Sequence, residues 1–523
     1  MTQRTFLGRS GAALTTLQLS LIVCPAFILN GYNQANIGGY LTESSWVATF
    51  PELDTINTTG AIKSHNSTIQ GLTVAVLILG GLFGSLSCSY TGDKFGRRAI
   101  ISAAGVCTLI GEVLEASAFS LAQFIVGRFI LGIGVGQIIS MVPVWISETS
   151  SAKHRGQHGV LVGVFTCLGY LLESWINLGF FEFHTGSVTW RPPVAIPTVL
   201  SVLLMIAIWF LPESPRWLAM RNQSDQAKSV ISALKGLPEN SVEVDAELTG
   251  IEHSLESTST EKLSNILRNG EDKLGYRFFL CMLLQFYQQW SGTNLVSVYM
   301  PIIFQTNLGM SAELSKILSA SALTWKFISS FASFFCIDRF GRRALFMISG
   351  AGMSTCMIVL AIATSFPSSN HSAQIAAGFF LFLFSTFVPI GFLGANFLYP
   401  TEIAPIRLRV AMSSISVAHH WMWNFVISLV TPVAVDTIGY RFYIVFGVIG
   451  ATIPVVVYFL FPETKGRNLE EINMMFRDSP SVWATVRFAQ TRPIALPQEY
   501  EKEEAPVHEE DATAHEPAAL KQV

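Results

Sequence analysis

Charge is scarce in this 523-residue chain: Asp, Glu, Lys and Arg make up 13% of it against 50% for hydrophobic residues, and mean hydropathy is +0.45. Soluble domains carry roughly 25% charged residues, so the composition excludes an ordinary soluble domain and points to a polytopic membrane protein that meets lipid. Neither sign dominates. The net charge of −3 removes the basic surface that nucleic acid requires. Cysteine is scarce too. Cys24, Cys88, Cys107, Cys167, Cys281, Cys336 and Cys356 lie in or at the ends of apolar runs, without metal or redox spacing, and read as packing residues rather than a disulfide framework. The chain also lacks a Gly-rich phosphate loop, a Ser/His/Asp order and a ligand cluster in a polar loop, so an enzyme, a metal and a cofactor are not expected. The adjacent His419 and His420 sit in an apolar run, where packing or substrate contact is the expectation.

Long apolar runs are what the chain has in quantity. About 20 such residues cross about 30 Å of hydrocarbon, and runs of that kind fall near 17–40, 68–90, 99–118, 122–146, 157–181 and 192–211. Six more fall near 276–304, 313–336, 344–365, 374–399, 411–435 and 441–461. The expected architecture is all-α: twelve spans in two sets of six. It divides into a cytoplasmic N-terminus (1–16), an N-terminal bundle (17–211), a linker of short amphipathic helices (212–275), a C-terminal bundle (276–461) and a cytoplasmic tail (462–523) with a disordered acidic end. Arg4 and Arg9 precede the first run as in a signal peptide, but no small-residue cleavage pattern closes it, so it is taken as a span.

One short stretch occurs twice. Asp93-Lys94-Phe95-Gly96-Arg97-Arg98 returns about 245 residues later as Asp338-Arg339-Phe340-Gly341-Arg342-Arg343, each copy between two spans. The Gly permits a tight reversal, and the acid and arginines can pair or cap the helix ends they join. A latch at matching points of two halves marks an internal repeat, the plan of membrane transporters that rock one half against the other. Lys and Arg crowd this set of loops, which includes Lys153, Arg155, Arg216, Arg407, Arg409, Lys465 and Arg467, so the charge rule makes them and both termini cytoplasmic. The opposite loops hold acceptor sequons at Asn57, Asn66 and Asn370.

Several further motifs stand in order. Gly127-Arg128-Phe129 leads through Gly132, Gly134 and Gly136 to Pro143-Val144-Trp145-Ile146-Ser147-Glu148 and Arg155-Gly156. Pro212-Glu213-Ser214-Pro215-Arg216-Trp217-Leu218 follows span 6, and Gln288-Gln289-Trp290-Ser291-Gly292-Thr293-Asn294 lies in span 7. Tyr399-Pro400-Thr401-Glu402-Ile403, Trp421-Met422-Trp423-Asn424 and Pro462-Glu463-Thr464-Lys465-Gly466 come late. Over about residues 25–475 the chain resembles the sugar porter branch of the major facilitator superfamily, its fungal members most of all. The resemblance implies alternating-access transport of a sugar, with Gln288, Gln289, Asn294 and Tyr299 on the substrate and Trp421 stacking against it. It also implies inner gates in which Glu148, Glu213, Glu402 and Glu463 pair with Arg97, Arg155, Arg342 or Arg409. The chain departs from the family at Gly163 and Tyr170 of span 5, at Gly394, Asn396 and Phe397 of span 10, and at His420 of span 11, which puts hexose itself in question.

The residues alone point the same way. Amides in a span are costly unless they face a cavity or one another. Gln285, Gln288 and Gln289 share a helical face, and their paired donors and acceptors suit hydroxyl groups. Coupling reads less simply. Where proton-driven relatives resemble one another in an Asp on span 1 that answers Arg128, this chain has Asn33, an amide that carries no proton, so facilitated diffusion is expected. Glu112, Glu115 and Glu173 lie inside spans and keep proton symport open as the alternative. Lys326 lies about 18 Å up its helix from Asp338, where an unpaired lysine costs on the order of 3 kcal/mol. It needs a carboxylate from the protein or from a substrate, so with His420 nearby an anionic polyol such as quinate or a sugar acid is a second substrate class. A non-sugar metabolite and a nutrient sensor complete the alternatives.

Overall fold

The computed structural model describes residues 5–491 except 41–42, 56, 151–154, 184–185, 258–265 and 368–369, and it leaves out the side chains at 155, 302, 306–307, 312, 432–433 and 435–436. Met1–Gln490 forms one unit; of the second, Thr491–Val523, only Thr491 is described, so the expected acidic end lies outside the described residues.

Twelve long helices run in sequence order. In the first half they are α1 (Gly11–Tyr40), α2 (Gly60–Phe95), α3 (Arg97–Ala116), α4 (Leu121–Thr149), α5 (Arg155–Phe181) and α6 (Arg191–Phe210). In the second half they are α7 (Leu274–Trp290, resuming as Thr293–Ile302), α8 (Ala312–Phe340), α9 (Arg342–Thr364), α10 (His371–Gly391, resuming as Ala395–Ile403), α11 (Arg409–Ile438) and α12 (Arg441–Leu460). The expected spans reappear with shifted ends: most start earlier, while α3 stops at Ala116 and α6 at Phe210, short of the expected 118 and 211. Helix α1 starts before residue 17 because Thr15 and Thr16 return their hydroxyls to the carbonyls of Gly11 and Ala12, so polar residues that lower hydropathy still satisfy the helix.

Ten of these helices are on their own long and apolar enough to cross a bilayer. The other two, α7 and α11, are the ones that bring amides, hydroxyls and histidines together. Large apolar side chains such as Phe83 (52% exposed), Phe335 (70%) and Phe459 (63%) cover the outside of the bundle. Such a surface suits lipid, since helices that meet all their own backbone hydrogen bonds can present apolar side chains to hydrocarbon.

Glycine ends the helices at the two latches. Gly96 and Gly341 hold φ of +90° and +87°, a region that side chains avoid, and separate α2 from α3 and α8 from α9. Between the halves, Pro215–Met220, Ser224–Lys235 and Val242–Ser257 form the helical linker, packed through Leu218, Val230, Ile231, Val244 and Ile251.

The halves meet along two seams. On one, the Trp421 ring of α11 lies against Gly81 of α2; on the other, Trp175 Nε1 of α5 donates to Thr324 Oγ1 of α8 at 2.9 Å. A Cβ on Gly163 of α5 would stand 1.3 Å from the Leu393 carbonyl oxygen at the break in α10. The departure from a polar residue at Gly163 is thus what lets the two backbones touch.

Candidate functional site

Between the seams lies a cavity of ≈ 20 Å³. The first half contributes Asn30, Gln34, Ile139, Thr166 and Tyr170; the second contributes Gln288, Gln289, Thr293, Asn294, Ser297, Lys326, Leu393, Phe397, His420 and Asn424. The left-handed turn at Gly292 (φ +88°) interrupts α7 and gives the segment after Thr293 a new start, so amides from both pieces reach the same space.

Six of the eight expected contact residues therefore stand together: Gln288, Gln289, Asn294, Lys326, Phe397 and His420. The amide nitrogen of Gln289 lies 3.2 Å from the His420 ring nitrogens, and Asn294 Nδ2 donates to Asn424 Oδ1 and, at 3.3 Å, to Ser428 Oγ. The amide oxygens of Gln288 and Gln289 are buried and accept from no donor among the described residues. Tyr299 and Trp421 stand apart from the cavity. The Tyr299 hydroxyl donates to Ser428 O at 3.3 Å, and Trp421 is turned to the α2 seam. Gln285 is diverted as well, its amide donating to Asn396 O at 3.1 Å. Asn30, Gln34 and Thr166 were not foreseen; the one cue to the first two was their spacing of four, which lets Gln34 Nε2 donate to Asn30 Oδ1 at 2.7 Å.

Charges within the spans of the first half find separate partners. Asn33 donates to Glu112 Oε1 at 2.9 Å and Ser201 to Glu112 Oε2 at 2.8 Å, whereas Arg128 meets Glu115 at 3.6 Å and Glu173 accepts from Asn177 at 2.9 Å. Asn33 and Arg128 therefore do not answer one another. Lys326, in the second half, reaches none of these acids.

At the latch ends the repeat is kept atom by atom. Arg97 binds Glu148 (3.0 Å) and Asp93 (3.1 Å), and the backbone N–H groups of Arg97 and Arg98 donate to Glu213 at 3.2 and 3.1 Å. Arg342 binds Glu402 (2.8 Å) and Asp338 (3.2 Å), and the N–H groups of Arg342 and Arg343 donate to Glu463, both at 3.0 Å. Glu213 and Glu463 thus cap helices α3 and α9 instead of pairing with an arginine side chain, a role that charge counting misses. Burial pushes the Glu213 carboxyl above its ordinary value, opposed by these bonds and by Arg97. Arg409 of the second half reaches Glu148 of the first at 3.7 Å. The Arg155 side chain lies outside the described residues. On the opposite face Asn57 and Asn370 are exposed, while Asn66 is buried and its amide donates to Asp54 O at 2.8 Å.

Two six-helix halves around a small polar cavity, with matching latches at one end, define a multi-pass membrane transporter of the major facilitator fold. The model for the sugar (and other) transporter family matches residues 19–476, and the chain belongs to that family. It is 31% identical over 456 residues to the sugar transporter STL1 of Saccharomyces cerevisiae, covering 86% of this chain and 79% of that one. It is also 31% identical to a probable quinate permease of Aspergillus clavatus, covering 87% and 86%. Among solved structures it is similar to the proton:xylose symporter XylE bound to 6-bromo-6-deoxy-D-glucose, with a TM-score of 0.79 at 22% identity over 89% of this chain and 100% of that one.

Proposed function

We propose that the protein carries a small polyhydroxylated molecule, a sugar or related polyol, across the membrane by alternating access. The observation that carries this reading is the pair of buried, donor-free oxygens of Gln288 and Gln289 on the cavity wall, beside Asn294, His420 and the Phe397 ring. Amide oxygens accept hydrogen bonds from hydroxyls, and an aromatic face covers the C–H side of a sugar ring. A cavity of ≈ 20 Å³ has room for about one water. A sugar enters and leaves only when the seams part, which makes this conformation the closed stage of the cycle. Arg97, Arg98, Glu148, Arg409, Arg342, Arg343, Glu402, Asp93, Asp338 and Arg155 form the inner gate in this reading, with Glu148 as the group that both halves hold. Tyr299 and Trp421 position α7 and the α2 seam.

Facilitated diffusion is the mode proposed, because Asn33 stands where a proton-carrying acid would. One observation favours proton-coupled symport as the second reading: Glu112 is buried, bound by the neutral Asn33 and Ser201, and within ion-pair distance of no cation among the described residues. An ionised carboxylate so placed is costly, and protonation relieves it. Proteoliposomes separate the two readings. Facilitated diffusion gives uptake that follows the substrate gradient with no change in lumenal pH; acidification of the lumen during substrate entry gives symport. The plasma membrane is the proposed location, with both termini cytoplasmic and the accessible Asn57 and Asn370 as glycan acceptors.

A further inference from the structure

Lys326 is a buried basic group that neither latch nor gate uses. The residue is 2% exposed, and its side-chain nitrogen donates to Ser297 Oγ at 2.8 Å and stands 4.7 Å from the centre of the Tyr170 ring. An aromatic face at that distance favours a cation. No carboxylate among the described residues comes within ion-pair distance of it, and none lines the cavity, whose ionisable groups are Lys326, His420 and Tyr170. A lysine held at mid-depth without a counterion is expensive, and such groups are paired when they function. The same wall carries the donor-free amide oxygens of Gln288 and Gln289.

We infer that the molecule this cavity takes is a polyhydroxylated monocarboxylate, a sugar acid or cyclitol acid, whose carboxylate pairs with Lys326 while its hydroxyls donate to Gln288 and Gln289. The inference rests on the transport reading above and narrows its substrate class. One cation on the wall matches one carboxylate; a phosphate ester would bring about two negative charges and leave one of them unmatched in a site without a second lysine or arginine. Ser297 already orients the Lys326 amine, so the group is in place before the substrate arrives, which lowers the cost of ordering it on binding.

Gluconate and sorbitol make a matched pair of probes, identical in chain length and differing in a carboxylate against a hydroxymethyl group; quinate and inositol make a cyclic pair. Competition against labelled gluconate and labelled glucose is measured on the full chain in proteoliposomes. The expected result is that gluconate and quinate bind at least about tenfold more tightly than their neutral partners, the scale of one charge-assisted contact. That preference should fall to near unity in Lys326→Met and be largely retained in Lys326→Arg. Neutral partners that compete as well as the acids in the unaltered protein overturn the inference without any variant, so a poorly folded Lys326→Met does not protect it. An acid preference that survives Lys326→Met overturns it too. Glucose or sorbitol transport without any acid preference sinks this inference and leaves the transport reading standing; vesicles that move neither acids nor neutral polyols sink both.

Discussion

The two latches and the two cavity walls are built from the same internal repeat, yet only the latches remain copies. Arg97 with Asp93, Glu148 and the Glu213 cap, and Arg342 with Asp338, Glu402 and the Glu463 cap, match bond for bond. At mid-depth the likeness ends. The first half lines the cavity with Asn30, Gln34, Ile139, Thr166 and Tyr170 and holds its acids away from it; the second lines it with Lys326, His420 and the amides of α7. In the proposed reading, the pairs are duplicated where the halves move as equivalent bodies and diverge where the solute is met. Mechanics follows the repeat, and chemistry follows the departure from it.

Three changes can break or sharpen that contrast. The largest effect belongs to the latches: Arg97→Ala takes from the buried Glu148 its nearer cation, leaving Arg409 at 3.7 Å, and Arg342→Ala takes from Glu402 its ion-pair partner, and each should cost about 3–5 kcal/mol of stability. Thermal unfolding in detergent checks this, and a difference between the two variants of more than about 2 kcal/mol breaks the equivalence. Gly163→Ala comes next. Its methyl meets the Leu393 carbonyl oxygen at 1.3 Å, a backbone atom that can yield only if the halves separate. Overpacking of about 1–3 kcal/mol then disfavours the closed stage, and transport should fall at least about tenfold. Folding of each bundle is spared, so uptake drops more than thermal stability does.

The smallest effect lies on the outer face, where Glu43 meets Lys316 at 3.5 Å and the Lys316 ammonium stands 3.4 Å from the centre of the Phe181 ring. Burial lifts the Glu43 carboxyl above its ordinary value, with Lys316 opposing. The folded chain therefore holds that proton more tightly than the unfolded chain. The stability it contributes is fully present below the ordinary glutamate value and is lost as pH rises through the raised one. Relative to Glu43→Gln, the unaltered protein should gain up to about 1 kcal/mol as pH is lowered from about 7 to about 5; parallel melting curves would count against it.

The spans were legible because hydrocarbon demands length and apolarity at once. The latches were legible because they repeat. Polar contacts across helices were less so. A hydropathy trace gives Gln285 and Gln288 equal weight, but only the fold shows one bonded to Asn396 O and the other facing the cavity. Trp421 was expected to stack against the solute, and the absence of a side chain on Gly81 turns it to the seam instead. Gly163 looked like a lost ligand; it is a point of contact between halves, which no single-chain pattern encodes.

Substrate affinity of Gln288→Ala, measured as the half-saturation concentration for exchange in proteoliposomes, tests the central claim most directly. Loss of a hydrogen bond from hydroxyl to amide, about 1 kcal/mol or more, should raise it at least about fivefold, with the melting temperature held within a few degrees. An unchanged half-saturation concentration in a well-folded variant would mean that solute passes elsewhere and that the α7 amides serve packing alone.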